Sequence, residues 1–170
     1  KRFAASGIPV VCIDRQPPGW NGDLVLVAND QGTYEATRHL LRMGHSRVAV
    51  ITGPRHLANA VERLRGFEKA TAEAGVSVQP EWVQEGHFDR HSGYEAAMRL
   101  LALHPRPTAI LACNDMMALG TLQAVRESNL RCPEDVSIVG FDNLEFTEFT
   151  APALTSVHQP GYELGATAGR

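Results

Sequence analysis

The sequence has 170 residues, 44% hydrophobic and 21% charged, with a net charge of −3. That is enough for one good core, or for one domain and part of another. The mild acidity makes the chain a poor nucleic-acid binder by itself, since neutralising phosphates takes a basic surface, and no apolar run approaches the ~20 residues of a membrane span.

The chain opens with KRFAASGIPVV, which reads as mid-domain sequence and not as a leader, so a fragment is expected. Lys1 to Ser6 reads as a helix end with Gly7 as its C′ residue. Ile8 to Ile13 reads as a buried strand ending at Asp14, residues 16–23 as a loop and Leu24 to Val27 as a second strand. A turn and helix start at Asn29 to Gly32 puts a crossing between two lobes near Ala28. Thr33 to Met43 is a helix with Ala36, Leu40 and Met43 inward and Gly44 stopping it. Arg47 to Ile51 is a strand, followed by the Thr52-Gly53-Pro54 loop.

Asn59 to Ala74 is a helix facing the core with Ala60, Leu64, Phe67 and Ala74, capped by Gly75. Arg63 falls beside that apolar face. Trp82 to Glu85 is a weak strand closed by Gly86-His87-Phe88. Ser92 to Leu103 is a helix with Tyr94, Ala97, Met98 and Leu101 inward.

The most informative stretch runs from Pro107 to Asn143. Thr108 to Cys113 is apolar without alternation, the pattern of a strand buried on both faces. Asn114 and Asp115 follow, both good N-caps. Asp115 to Ser128 is helical with Ala118, Leu122 and Val125 on one face, and Asn129 is its C-cap. Val136 to Phe141 is a second buried strand, ending at Asp142 and Asn143. This strand–helix–strand unit makes the two strands parallel, with Asn114 and Asp142 at one carboxyl edge. Leu144 to Pro152 is irregular or one short turn, Leu154 to Val157 a last strand, and Pro160 to Arg170 the start of a helix. The alternation from Arg47 to Asp142 predicts an α/β fold with a doubly wound parallel sheet.

Open α/β sheets bind ligands at the carboxyl edge. Arg63, Phe88, Asn114 and Asp142 all fall there, at strand ends or in a first helical turn. Asp14 and Asn29 end the two strands of the partial lobe. The set suits a sugar: carboxylate and amide bind hydroxyls, Arg donates in a fixed fork, and an aromatic ring covers an apolar sugar face. Taken singly, Asn114 also reads as a helix cap and Asp142 as a turn residue.

Catalysis has little support, because no G-x-S-x-G, G-x-x-x-x-G-K-[ST] or G-x-G-x-x-G motif occurs. Of seven histidines, His87 and His91 are four apart but divided by a turn, so no metal site is expected. No cofactor is implied. Cys12, Cys113 and Cys132 are far apart and odd in number, as reduced thiols of a cytoplasmic protein are.

IPVVCIDR, HLLRMGHSRVAVITGP, ERLRGF, HFDRHSGYEAAMRLL, PTAILACNDMMALGTLQA, CPEDVSIVGFDN and PALTSVHQP together resemble the LacI/GalR family of bacterial transcriptional regulators. The likeness covers nearly the whole chain in order. It implies a two-lobed, periplasmic-binding-protein-like (type I) effector core that binds a small molecule between the lobes. It also implies dimerisation through the core, and operator contact only through a helix-turn-helix headpiece outside these residues.

On this resemblance, residues 29–157 are the complete C-terminal lobe, and residues 1–28 and 158–170 belong to the N-terminal lobe. The positions that match effector contacts are Asp14, Val27, Arg63, Phe88, Asn114, Asp142 and Gln159, with Val27 and Gln159 added by resemblance alone. Purine-responsive members carry an Arg and a Thr where Leu57 and Asn59 stand, so a sugar effector is favoured over a purine. A periplasmic sugar-binding protein or an enzyme on a flavodoxin-like sheet are the other readings. Met116 and Leu119, turned away from the core-facing side of their helix, join Phe146 and Phe149 as the expected homodimer patch.

Overall fold

A computed structural model describes residues 8–17 and 19–170. The helix end expected at Lys1 to Ser6, with Gly7, lies outside them. By its contacts the chain divides into two compact units, Lys1–Ala28 with Gln159–Arg170, and Asn29–His158.

In the first unit, β1 (Val11–Ile13) and β2 (Asp23–Val25) run parallel, with Cys12 opposite Leu24. Both are shorter than the sequence pattern indicates. Ile8 is 61% and Ile13 44% exposed, so the apolar run here does not mark a strand buried on both faces. A two-stranded sheet has too few neighbours to cover it.

The second unit holds α1 (Asn29–Arg42), β3 (Val48–Thr52), α2 (Ala58–Glu73), β4 (Val83–Glu85), α3 (Arg90–Leu101), β5 (Ala109–Ala112), α4 (Asp115–Glu127), β6 (Ser137–Asp142) and β7 (Thr155–His158). Its five strands form one parallel sheet in the order β4-β3-β5-β6-β7. Every residue of β3 and β5 is buried, because helices cover both faces of the sheet. α1 packs with α2, and α3 with α4. Right-handed crossovers that run in opposite directions along the sheet require two such layers. His158 still pairs with Asp142 across β6 and β7, which carries this unit one residue beyond Val157. In the first unit, α5 (Gly161–Ala168) packs on β1 and β2.

Several inward faces differ from the sequence expectation. α1 ends at Arg42, and Met43 is 65% exposed because the chain turns at Gly44 with φ +91°. On α2 the buried residues are Asn59, Ala60, Arg63, Gly66, Phe67, Ala70 and Thr71. Arg63 therefore lies on the buried face, while Leu64 is half-buried and Ala74 exposed. On α3, Ser92, Gly93, Ala96, Ala97 and Leu100 are buried, and Met98, Tyr94 and Leu101 are not. Small residues let α3 close on α4, so the larger apolar side chains fall at the rim.

On α4, Met117, Ala118, Thr121, Ala124 and Val125 are buried and Leu122 is half-buried. Asn129 sits past the helix as its C′ residue, at φ +55°. Trp82 ends a short 3-10 turn, Pro80–Trp82, and the strand begins at Val83. Glu145–Phe149 forms a second 3-10 turn, tied down by buried Thr147. Asn29 opens α1 and does not end a strand.

Candidate ligand-binding site

β3, β4, β5 and β6 end side by side; the segments leaving the first three carry Gly53, Phe88 and Asn114, and Asp142 is the last residue of β6. Two of these residues have a backbone that non-glycine residues seldom adopt: φ is +62° at Phe88 and +111° at Asp142, and Asn143 follows at +57°. Such backbone persists only where its surroundings over-determine it, and it clusters at functional sites.

Arg63 is the centre of the arrangement. Its side chain is 3% exposed. Its Nε donates to Asn29 Oδ1 at 2.8 Å and its Nη1 to the Cys113 carbonyl at 2.5 Å. The guanidinium lies 3.7 Å from the centroid of the Phe141 ring and 5.9 Å from that of Phe88. Nη1 stands 3.6 Å from Asp142 Oδ1. Asn29 is itself oriented by donating Nδ2 to Glu62 Oε2 at 2.9 Å. A buried cation is tolerable only when paired and hydrogen-bonded, and these partners supply both conditions. Asp142, at 24% exposure, is the outward half of the pair.

Phe88 closes over Gly53. A Cβ at Gly53 would collide with the Phe88 ring, so only glycine admits the aromatic here. Asn114 holds this turn, donating Nδ2 to the Phe88 carbonyl at 3.0 Å. Its Oδ1 caps α4, accepting from Met117 N–H at 2.9 Å. The amide is thus a cap and a tether together, and it is 7% exposed. Beside it, burial pushes the Cys113 thiol up to about 12, opposed by the nearby Arg63 charge and reinforced by Asp142.

Asp115, read from sequence only as a possible cap, is fully buried. Its Oδ1 accepts from Ser156 Oγ at 2.6 Å and its Oδ2 from Leu144 N–H at 2.7 Å. Burial raises its carboxyl above the usual range, and the donors from Ser156, Leu144, Asn143 and Phe141 pull it back. Sequence reasoning missed Asp115, Phe141 and Ser156, and it misassigned Asn29. Only the Asn114-Asp115 pair just after β5 carries a local signal of this role.

Arg63, Phe88, Asn114 and Asp142 therefore come together on one edge of the second unit. Asp14, Val27 and Gln159 lie in the first unit, all half-buried. Asp14 there has φ +64° and donates its N–H to the Val25 carbonyl at 2.9 Å. Of the expected dimer residues, Phe149 is 78% and Met116 36% exposed, and Leu119 and Phe146 are half-buried. Leu119 and Phe149, with Leu122 and Pro152, line a groove of about 580 Å³ that includes none of the candidate ligand residues. Among the described residues, no helix is long and apolar enough to cross a membrane.

Residues 37–170 match the family described as a periplasmic binding protein-like domain. The chain belongs to this family, on its LacI-type branch. The chain is 43% identical over 163 residues to the HTH-type transcriptional repressor PurR of Haemophilus influenzae (strain PittEE), covering 96% of this chain and 48% of that protein. Among solved structures, a LacI-family regulatory protein from Chloroflexus aggregans superposes with TM-score 0.90 at 31% identity, over 98% of this chain and 60% of the other. A transcriptional regulator CelR–cellobiose complex superposes with TM-score 0.90 at 36% identity, over 96% and 51%. The chain spans about half the length of the curated relatives it matches.

Proposed function

We propose that this domain senses a small neutral polyhydroxylated effector, a sugar or sugar derivative, for a transcriptional regulator. The protein would contact operator DNA through a helix-turn-helix segment outside these residues and would act in the cytoplasm without catalysing a reaction. The Arg63–Asp142 pair carries this reading. The guanidinium is spent on Asn29, the Cys113 carbonyl and Asp142, so the edge has little positive charge left to attract an anion. Asp142 presents a carboxylate that accepts from hydroxyls, beside the aromatic face of Phe88. Asp14, Val27 and Gln159 belong to the proposal on the strength of the family resemblance alone.

A purine effector is the second reading, favoured by relatives named PurR. Against it, Leu57 and Asn59 stand where purine-responsive members carry Arg and Thr. Leu57 precedes α2 without a side-chain capping bond, and Asn59 is buried. Neither offers a purine the donor fork of an arginine.

Calorimetry on the full-length protein with cellobiose, ribose, glucose 6-phosphate and hypoxanthine tests the proposal. A neutral sugar should bind, and Asp142→Asn should weaken it by about thirtyfold or more, roughly 2 kcal/mol for a buried partner left unpaired. Hypoxanthine binding that survives this change would replace the sugar reading and remove Asp142 from the site.

We also propose that Met116, Leu119, Phe146 and Phe149 meet their counterparts in a second copy of the chain. Support comes from the exposure of Phe149 beside the groove at Leu119, since large apolar side chains grouped at a surface mark interfaces.

A further inference from the structure

Asp142 and Asn143 form a turn of two consecutive positive-φ residues, at +111° and +57°. Isolated, such a turn would relax, because neither residue is glycine and non-glycine residues seldom hold positive φ. Something must hold it. Asn143 N–H donates to Ser156 Oγ at 3.1 Å, and Ser156 Oγ–H donates onward to Asp115 Oδ1 at 2.6 Å. Leu144 N–H donates directly to Asp115 Oδ2 at 2.7 Å. Both backbone amides that follow Asp142 thus end on a single buried carboxylate, one of them through a hydroxyl from the neighbouring strand.

Two features show that the fold makes room for this carboxylate. A Cβ at Gly140 would collide with Asp115 Oδ1, so β6 is cut back where the carboxylate lies against it. Asp115 is also the first residue of α4, where the helix end favours a negative charge. No neutral side chain of similar size accepts from all these donors at once.

We infer that Asp115 and Ser156 are positioning residues that hold the turn bearing Asp142 in its binding geometry, so that they set effector affinity without touching the effector. The effect on affinity rests on the reading of Asp142 as a ligand contact, whereas the effect on the turn does not.

Hydrogen exchange on full-length, unliganded protein tests the turn first. Asp115→Asn and Ser156→Ala should each speed exchange at Asn143 and Leu144 by about tenfold or more. Strands β3 and β5 should exchange as in the parent. Ser156→Thr, which keeps a hydroxyl, should restore protection. Unchanged rates at Asn143 and Leu144, or faster exchange spread evenly over the sheet, would overturn the inference. Should Asp115→Asn not fold, Ser156→Ala and Ser156→Thr decide it. Titration with cellobiose and hypoxanthine then tests the consequence. Whichever ligand the parent binds should bind Ser156→Ala several-fold more weakly, with Asp142→Asn as the reference for loss of the contact itself. If Asp142→Asn leaves affinity unchanged, the ligand site is wrong, while the exchange result still stands for or against the positioning role.

Discussion

Arg63 and Asp142 face each other with 3.6 Å between Nη1 and Oδ1, but they are unequal partners: the arginine side chain is 3% exposed and the aspartate 24%. The cation belongs to the core, and the anion reaches the surface. Arg63→Ala would strip the donors from Asn29 Oδ1 and the Cys113 carbonyl and leave a void against Phe141. It should lower unfolding free energy by roughly 3–5 kcal/mol, the usual cost of breaking a buried charged network. Asp142→Asn preserves the volume and a residue type that tolerates positive φ, and it should cost far less. Urea denaturation of both variants checks the order, and equal stability would mean that Arg63 is not the structural member of the pair.

Asn114 has two separable duties. Asn114→Ser keeps an oxygen that can cap α4 but cannot tether the Phe88 carbonyl. Asn114→Ala loses both. The alanine variant should be about 1 kcal/mol less stable than the serine variant, the typical worth of an N-cap. Both should bind effector more weakly, because the Phe88 turn loosens in each. A serine variant with parental affinity would show that the tether does not matter.

The Cys113 thiol is raised to about 12 by burial, which disfavours the thiolate that alkylating reagents attack. Iodoacetamide at about pH 8 should leave Cys113 unmodified in the folded protein and label it after denaturation, as peptide mass mapping will show. Rapid labelling of native protein would contradict the burial of Cys113.

The groove beside α4 gives a direct test of assembly. Leu119→Asp places a charge against Leu122, Phe149 and Pro152. Sedimentation of the full-length protein should show a dimer for the parent and a monomer for this variant, with near-native circular dichroism. A parent that sediments as a monomer, or a variant that remains dimeric, would place any interface elsewhere.

The sequence by itself determined the class of the fold and the sheet edge on which the candidate residues Arg63, Phe88, Asn114 and Asp142 gather. Unbroken apolar runs at residues 48–51 and Ala109–Ala112 require cover on both faces. Alternation with helices makes the strands parallel, and their carboxyl ends follow from chain direction. Helix stops at Gly44 and Gly75 were legible because a left-handed residue there is a local matter.

Tertiary structure alone decided which polar residues are structural. Arg63 reads as lying beside an apolar stripe and not on it, yet it is buried, because Asn29, the Cys113 carbonyl, and Phe141 with Asp142 converge on it from three other segments. Asp115 reads as a cap, yet it anchors the Asp142 turn through Ser156, 41 residues away. Such partners have no periodicity along the chain. They become neighbours only when the crossovers bring β5, β6 and β7 side by side, and the free energy of burying a charge depends on that neighbourhood and not on local sequence.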